Sequence, residues 1–389
     1  MTYNSWNQHV VKKKNKELVL RTITSLAPLS RADIAQNSGL NKATVSSLVN
    51  ELIDEEFIYE SGPGESSGGR RPVMLLFNER AGYSIGIDIG VNYILGVVTD
   101  LMGNIIFEKN ITVRNLSFKE HISLVKETIH ILIQNTPQSR YGVIGIGIGV
   151  PGIVDKSGKV LHAPNLNWKD VNLKEIIEQE FDYPITIENE ANAGAYGEMR
   201  FGVGQDCTNI LYVSNGIGIG LGIILNGELY RGINGYAGES GHMVIVANGE
   251  KCTCGNLGCW EAYASEHALL KNAENCGISS TPTLEELIQK AEEKNTDTIE
   301  LFQDIGFYIG TGVSNLIKTF NPQKIIIGNR LAMAKHLLEK PIVDSVRKQA
   351  LIYHQADIID FSKLSTHSTA LGVSAFAVED FLHISDQID

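Results

Sequence analysis

Residues 143–152 read Val143-Ile144-Gly145-Ile146-Gly147-Ile148-Gly149-Val150-Pro151-Gly152. In an extended chain, strict alternation of isoleucine with glycine puts every branched side chain on one face and nothing on the other. A strand with one bare face makes sense where another backbone lies close against it, or where the strand bends. The texture returns at Gly86 and Gly90, and at Gly216, Gly218, Gly220 and Gly222. In none of these does the spacing G-x-G-x-x-G open a helix, so a dinucleotide-binding loop is set aside.

Working outward from this stretch, Tyr83–Asp88, Ile94–Thr99 and Ile105–Thr112 read as consecutive strands. A helix follows over Phe118–Asn135, then the buried strand Gly142–Gly149. The pattern recurs with Ile210–Ser214, Gly220–Leu225 and a further short strand, then helices and the strand Lys324–Gly328. Two similar strand-rich units with covering helices predict a duplicated α/β fold with a central cleft.

At 389 residues the chain is long enough for two or three domains. Its 43% apolar and 20% charged residues support a core and exclude wholesale disorder. Apolar runs reach only about ten residues, short of a membrane span. The polar start has no signal-peptide pattern, and five cysteines do not make a disulfide framework. A soluble, reduced, cytoplasmic protein is expected.

The net charge of −12 argues against a nucleic-acid partner until its distribution is read. Residues 1–80 carry ten Lys/Arg against nine Asp/Glu, which leaves −13 for the remainder. Positives cluster at Lys12, Lys13, Lys14 and Lys16 and again at Arg70 and Arg71, giving a basic-tipped module on an acidic body. Residues 1–11 are expected to be disordered in the free protein. Asn15–Leu26 has helical apolar spacing and stops at Pro28. Ser30 stands as an N-cap to Arg31–Ser38, with Asp33 completing a capping box and Gly39 ending the helix. Asn41 caps a third helix, Lys42–Glu56, with an inward stripe of Val45, Leu48, Val49, Leu52 and Ile53. Two short helices about a tight turn are a helix-turn-helix. The third helix offers Asn41, Lys42, Ala43, Thr44, Ser46, Ser47 and Asn50 outward, and Arg31 stands nearby; such side chains suit groove reading. Strands at Phe57–Glu60 and Val73–Phe77 flank a loop bearing Arg70 and Arg71, which forms a wing placed to enter a minor groove or grip phosphates.

The body also carries Asp88-Ile89-Gly90, Gly149-Val150-Pro151-Gly152 and Ala163-Pro164-Asn165-Leu166, then Glu188-Asn189-Glu190-Ala191-Asn192-Ala193. Gly238-Glu239-Ser240-Gly241-His242 and Cys252-Thr253-Cys254-Gly255-Asn256-Leu257-Gly258-Cys259-Trp260-Glu261 follow in order. Together these resemble the ROK family (repressors, open reading frames and kinases), and the N-terminal winged helix resembles its repressor branch. The resemblance implies a winged helix-turn-helix over 1–80. Over 81–389 it implies a duplicated actin/sugar-kinase-like (RNase H-like) body with a zinc loop near 242–259.

His242, Cys252, Cys254 and Cys259 offer one imidazole and three thiolates, a closed tetrahedral set suited to structural Zn²⁺. The C-x-C spacing is tighter than the usual C-x₂-C; the resemblance supplies the zinc assignment. Cys207 and Cys276 have no such company and are expected to be packed. The resemblance further implies that Asn165, Asn189, Glu190, Glu239, His242 and Glu261 hold sugar hydroxyls, since carboxylates and amides recognise paired hydroxyls by direction.

The chain departs from the kinase members on the phosphate side. Val91 and Asn92 stand where their first phosphate loop has Gly and Thr, and Ile217 interrupts Gly216 and Gly218 where they have Thr. Their adenosine-side Gly pair becomes Gly328-Asn329, followed by Arg330, and Glu190 replaces the general-base Asp. Phosphoryl transfer depends on positioning and charge stabilisation, so the four changes predict binding without turnover. The expectation is a homodimeric transcriptional repressor on operator DNA, with no catalytic residues, released by a sugar inducer, xylose.

Overall fold

The structure is a computed structural model that describes residues 8–63, 72–114, 116–351 and 356–382. It opens with α1 (Gln8–Leu26), β1 (Leu29–Ser30), α2 (Arg31–Ser38), α3 (Lys42–Asp54), β2 (Ile58–Pro63) and β3 (Val73–Phe77). The strands pair antiparallel in the order β1-β3-β2. The capping box at α2 is formed: Asp33 N donates to Ser30 Oγ at 3.2 Å, and Ser30 N donates to Asp33 Oδ2 at 2.9 Å. Gly39 ends α2 at φ 70°, a backbone angle that favours glycine, and Asn41 Oδ1 accepts from Thr44 N at 2.9 Å to start α3. α1 begins earlier than the apolar spacing suggested. Its first turns, in a segment expected to be disordered, are tied by Lys12 to Glu51 at 2.8 Å; residues 1–7 lie outside the described residues.

The first lobe of the body holds β4 (Tyr83–Ile89), β5 (Tyr93–Asp100), β6 (Ile105–Thr112), α4 (Phe118–Gln134) and β7 (Val143–Val150). A small sheet of β8 (Ile153–Val154), β9 (Val160–Ala163) and β10 (Trp168–Val171) follows, then α5 (Leu173–Glu178) and β11 (Ile185–Asn189). After α6 (Glu190–Phe201), the second lobe adds β12 (Ile210–Asn215), β13 (Ile219–Leu225), β14 (Glu228–Leu229), α7 (Glu261–Ala264), α8 (Glu266–Asn275) and α9 (Leu284–Glu292). It is completed by α10 (Thr296–Phe320), β15 (Lys324–Gly328), α11 (Lys335–Gln349) and β16 (Ile359–Phe361), and α12 (Ser368–Leu382) returns to the first sheet.

The two large sheets run β11-β7-β4-β5-β6 and β16-β15-β12-β13-β14. Position by position they correspond: β4 and β12 each pair antiparallel with the next strand and parallel with β7 or β15. This is the expected duplication.

The glycine alternation has a specific cause. A Cβ placed on Gly145, Gly147 or Gly149 would meet Ala377, Val373 or Thr369, three residues spaced by four along α12. A Cβ on Gly222 would lie 2.2 Å from the Ala191 carbonyl of α6. α12 therefore beds on the first sheet and α6 on the second. The two helices cross where a Cβ on Gly372 would lie 1.8 Å from Ala193 O. Ile146 and Ile148 of β7 face the other way, into a core with Val125 and Ile129 of α4 and Ile177 of α5.

The core of the N-terminal elements is shared with the body. Val19, Ile23, Ile34, Val45, Leu48, Leu52 and Leu75 pack in one cluster with Ala81, Leu101, Ile144, and Val378 and Leu382 of α12. Phe57 stacks on Tyr141 at 5.0 Å, and Phe381 stands edge-on to Tyr141 at 5.1 Å. Tyr141 Oη donates to Glu55 O at 3.0 Å, and Arg140 pairs with Glu56 at 2.9 Å. Among the described residues no helix is long and apolar enough to cross a membrane.

Candidate functional site

The helix-turn-helix presents Asn41, Lys42, Ala43, Ser47 and Asn50 exposed, with Thr44 and Ser46 half-buried, along α3. Arg31 bridges the two helices and the wing, donating to Asn50 Oδ1 at 3.1 Å and to Glu60 at 3.1 Å. Two of the lysines read as a basic tip are neutralised: Lys12 pairs with Glu51, and Lys16 with Glu55 at 2.5 Å. Of the acids at and after the end of α3, Glu51 and Glu55 meet these lysines on α1, Glu56 meets Arg140 and Glu60 meets Arg31. Arg70 and Arg71 lie outside the described residues.

Between the lobes lies a cavity of about 250 Å³. All six sugar candidates line it: Asn165, Asn189, Glu190, Glu239, His242 and Glu261. Each is set by an element end. Asn165 sits in the turn between β9 and β10, Asn189 closes β11, Glu190 opens α6 and Glu261 opens α7. Glu239 and His242 occupy one short 3-10 turn. Glu261 is oriented by accepting from Ile219 N at 3.0 Å and from Thr253 Oγ1 at 3.2 Å.

Asn189 has a structural duty that the sequence reading gave to sugar. Its Oδ1 caps α6, accepting from Ala191 N and Asn192 N at 3.0 Å each. Its Nδ2 donates to Gly152 O at 2.8 Å, which leaves one N–H for a ligand. The neighbouring Glu188, not singled out in the sequence, accepts from Asn189 N, from Asn192 Nδ2 and from Arg231 Nε at 2.7 Å.

The cavity is acidic. Burial, reinforced by the charges of Asp88, Glu261 and Glu239, pushes the Glu190 carboxyl up to about 8. Burial pushes Asp88 up to about 7, with the hydrogen bond from Tyr93 opposing. Glu239 is also raised, chiefly by burial, while His242 opposes. Arg330 lines the cavity but is committed elsewhere, donating to Glu266 at 2.9 Å and to Glu285 at 3.0 Å. Hydroxyl-rich, uncharged ligands suit such walls, because raised carboxyls can donate as well as accept.

The segments that depart from the kinase members, with Gly90, Asn92, Ile217 and Asn329, line the same cavity. A Cβ on Gly90 would lie 2.3 Å from the Tyr93 ring, so the ring lies on this glycine's backbone. Tyr93 Oη donates to Asp88 Oδ2 at 2.6 Å. Asn329 stands over Gly216 and donates to Ser214 Oγ at 3.0 Å.

His242, Cys252, Cys254 and Cys259 bring their ligand atoms within 4.8 Å of one another, a cluster that could hold a metal ion. His242 Nδ1 lies 3.6 Å from Cys252 Sγ, and Cys254 Sγ lies 3.7 Å from Cys259 Sγ. A tetrahedron with metal–sulfur bonds of about 2.3 Å has edges of about 3.7 Å, so the donors already stand at coordination spacing. The other imidazole nitrogen of His242 faces Glu239 at 3.9 Å, on the cavity side. Cys207 is partly buried as expected, but Cys276 is exposed at the end of α8 and does not pack.

Residues 84–380 match the ROK family. The chain belongs to the ROK family. It is 45% identical over 384 residues to a xylose repressor from Bacillus spizizenii, covering 97% of this chain and 98% of that one. Among solved structures, a ROK family transcriptional regulator homologous to the E. coli MLC protein superposes with a TM-score of 0.79 at 28% identity, covering 96% and 98% of the two chains. A ROK family glucokinase from Streptomyces griseus, in complex with glucose and AMPPNP, superposes with a TM-score of 0.70 at 28% identity. It covers 76% of this ROK chain and 99% of its own.

Proposed function

We propose that this ROK protein is a DNA-binding transcriptional repressor of a xylose-utilisation operon, released from its operator by xylose bound in the cleft. One observation carries the reading. In a cavity lined by six side chains suited to hydroxyls, the Tyr93 ring fills the space over Gly90, Asn329 stands over Gly216 and Arg330 is held in ion pairs, and the same chain bears a helix-turn-helix. The near-full-length similarity to a xylose repressor supports the operon and the sugar. The same filling argues against the alternative, an ATP-dependent sugar kinase, because a triphosphate needs open backbone at Gly90.

Residues 1–80 read DNA through α3 and a wing carrying Arg70 and Arg71, and residues 81–389 bind sugar. Two copies form a dimer on a near-palindromic operator. Zn²⁺ at His242, Cys252, Cys254 and Cys259 is structural and fixes the segment that carries Glu239, His242 and Glu261. Ligand shifts operator affinity by favouring one cleft state, and α12 is the connection. At its start, Thr369 Oγ1 donates to Glu190 O at 3.1 Å; at its end, Val378, Phe381 and Leu382 pack into the DNA-reading module.

The test is titration of the protein onto DNA upstream of its own and neighbouring genes at fixed salt, with and without xylose. Specific binding released by xylose and not by a non-cognate sugar supports the reading. Absence of specific binding from zinc-replete protein, with sugar phosphorylation on addition of ATP, overturns it.

A further inference from the structure

The β4–β5 hairpin places Asp88, Gly90 and Tyr93 within six residues; Gly90 and Tyr93 line the cavity, and the buried Asp88 is bonded to Tyr93. Asp88 is 1% exposed; its Oδ2 accepts from Tyr93 and its Oδ1 has no partner among the described residues. The Tyr93 ring is held at both ends. The strand start fixes its Cα, the bond to Asp88 fixes its hydroxyl, and the ring between them covers Gly90. Glu190 lines the cavity too, its Oε1 accepting from Ser214 Oγ at 3.5 Å. Glu239, His242 and Glu261 line the same cavity; the charges of Glu239 and Glu261 reach Glu190, whereas Tyr93 feels those of Asp88 and Glu190.

A pyranose gripped by Glu239, His242 and Glu261 has its far edge against Glu190 and the tyrosine ring. A substituent projecting from that edge would enter the volume the ring fills. We infer that Tyr93 is the specificity-determining residue of the cleft, a rigid stop that admits a pentopyranose and excludes a sugar bearing one exocyclic carbon more. This rests on the reading of the cleft as a sugar site. It assigns the discrimination to ring volume, since xylose and glucose share the hydroxyls that the carboxylates address and differ by a hydroxymethyl group. A snug apolar stop distinguishes ligands differing by one carbon by about 10- to 200-fold.

The experiment is calorimetric titration of the full chain with D-xylose and D-glucose, for the wild type, Tyr93→Ala, Tyr93→Val and Tyr93→Phe. Valine suits the first position of a strand and serves if the alanine variant does not fold. The expected result is a rise of at least tenfold in glucose affinity relative to xylose in the alanine or valine variant, with the wild-type ratio kept by Tyr93→Phe. An unchanged ratio in folded, xylose-binding Tyr93→Ala and Tyr93→Val overturns the inference alone. A shift in Tyr93→Phe as large as in Tyr93→Ala also overturns it, because the Asp88 bond and not the ring would then set the limit. If the wild type binds neither sugar, the sugar-site reading falls and the inference falls with it.

Discussion

Replacing Gly147 by alanine places a methyl group 2.2 Å from Val373 O and 2.5 Å from Val373 C of α12. The nearer contact is 1.2 Å inside the 3.4 Å at which such approaches become ordinary. Both obstacles are helix backbone, so no rotamer change relieves them; α12 must lift off the sheet. Overpacking of this kind costs about 3 kcal/mol, the upper end of the usual range. Gly145 supplies the control on the same strand and face. There the new methyl meets only the Ala377 methyl, at 3.1 Å. Relieving glycine of its backbone entropy returns about 0.5–1 kcal/mol, which offsets that mild crowding. Gly147→Ala should therefore unfold roughly 4 °C below the wild type, while Gly145→Ala should stay within about 1 °C of it, at about 2.1 cal/mol/K of unfolding entropy per residue. Thermal unfolding followed by circular dichroism measures both. Equal losses in the two variants, or a Gly147→Ala loss below about 1 kcal/mol in urea, would refute the bedding of α12 on β7 as the reason for the alternation.

A strong chelator, or Cys259→Ser, should lower the melting temperature and weaken sugar affinity together, and the native protein should release one zinc ion per chain in a colorimetric assay; normal sugar affinity after complete metal removal would contradict the role given to the 242–259 loop. Phe381→Ala removes two aromatic contacts worth about 0.5–1.5 kcal/mol each. Operator binding should persist, while the ratio of affinities without and with xylose should fall toward one in fluorescence anisotropy. Asp88 is raised from the usual 3.8 to about 7, so the folded state holds more protons than the unfolded state between those values. The Asp88 contribution to stability should fall as pH rises through that window, by up to about 1.4 kcal/mol per unit, and level off above it, while Glu190, raised to about 8, adds a slope of its own. In urea unfolding at pH 5.5, 6.5 and 7.5, Asp88→Asn should flatten that slope, and a slope equal to the wild type's would count against it.

Much of the architecture could be read from local pattern. The capping box at Ser30 and Asp33, the N-cap at Asn41 and the apolar stripe of α3 fix the helix-turn-helix within a few residues. The alternation in β7 announced a close backbone but could not name α12, because the contact joins residues more than 200 positions apart. Long-range pairing likewise hid the ion pairs of Lys12 and Lys16 with α3, so the N-terminal charge looked more available than it is. At the cleft, all six candidate residues converge as the motifs implied. Asn189 was harder to read: an Asn that ends a strand and opens a helix is equally an N-cap, and here it serves as one. Tyr93 was visible only as the residue following an altered phosphate loop. That its ring fills the vacated space follows from the hydrogen bond to Asp88, which composition and spacing do not encode.

The DNA-reading module does not own its whole core. Val378 and Leu382 complete it from a helix synthesised roughly 300 residues later than Ala81, which at 5–20 residues per second is some 15–60 s of translation. A nascent or prematurely terminated chain thus carries α3 without the packing that seats it. The helix that completes this core is also the one whose first turn bonds to Glu190 at the cavity, so the two ends of the molecule become connected only when the last helix has been made.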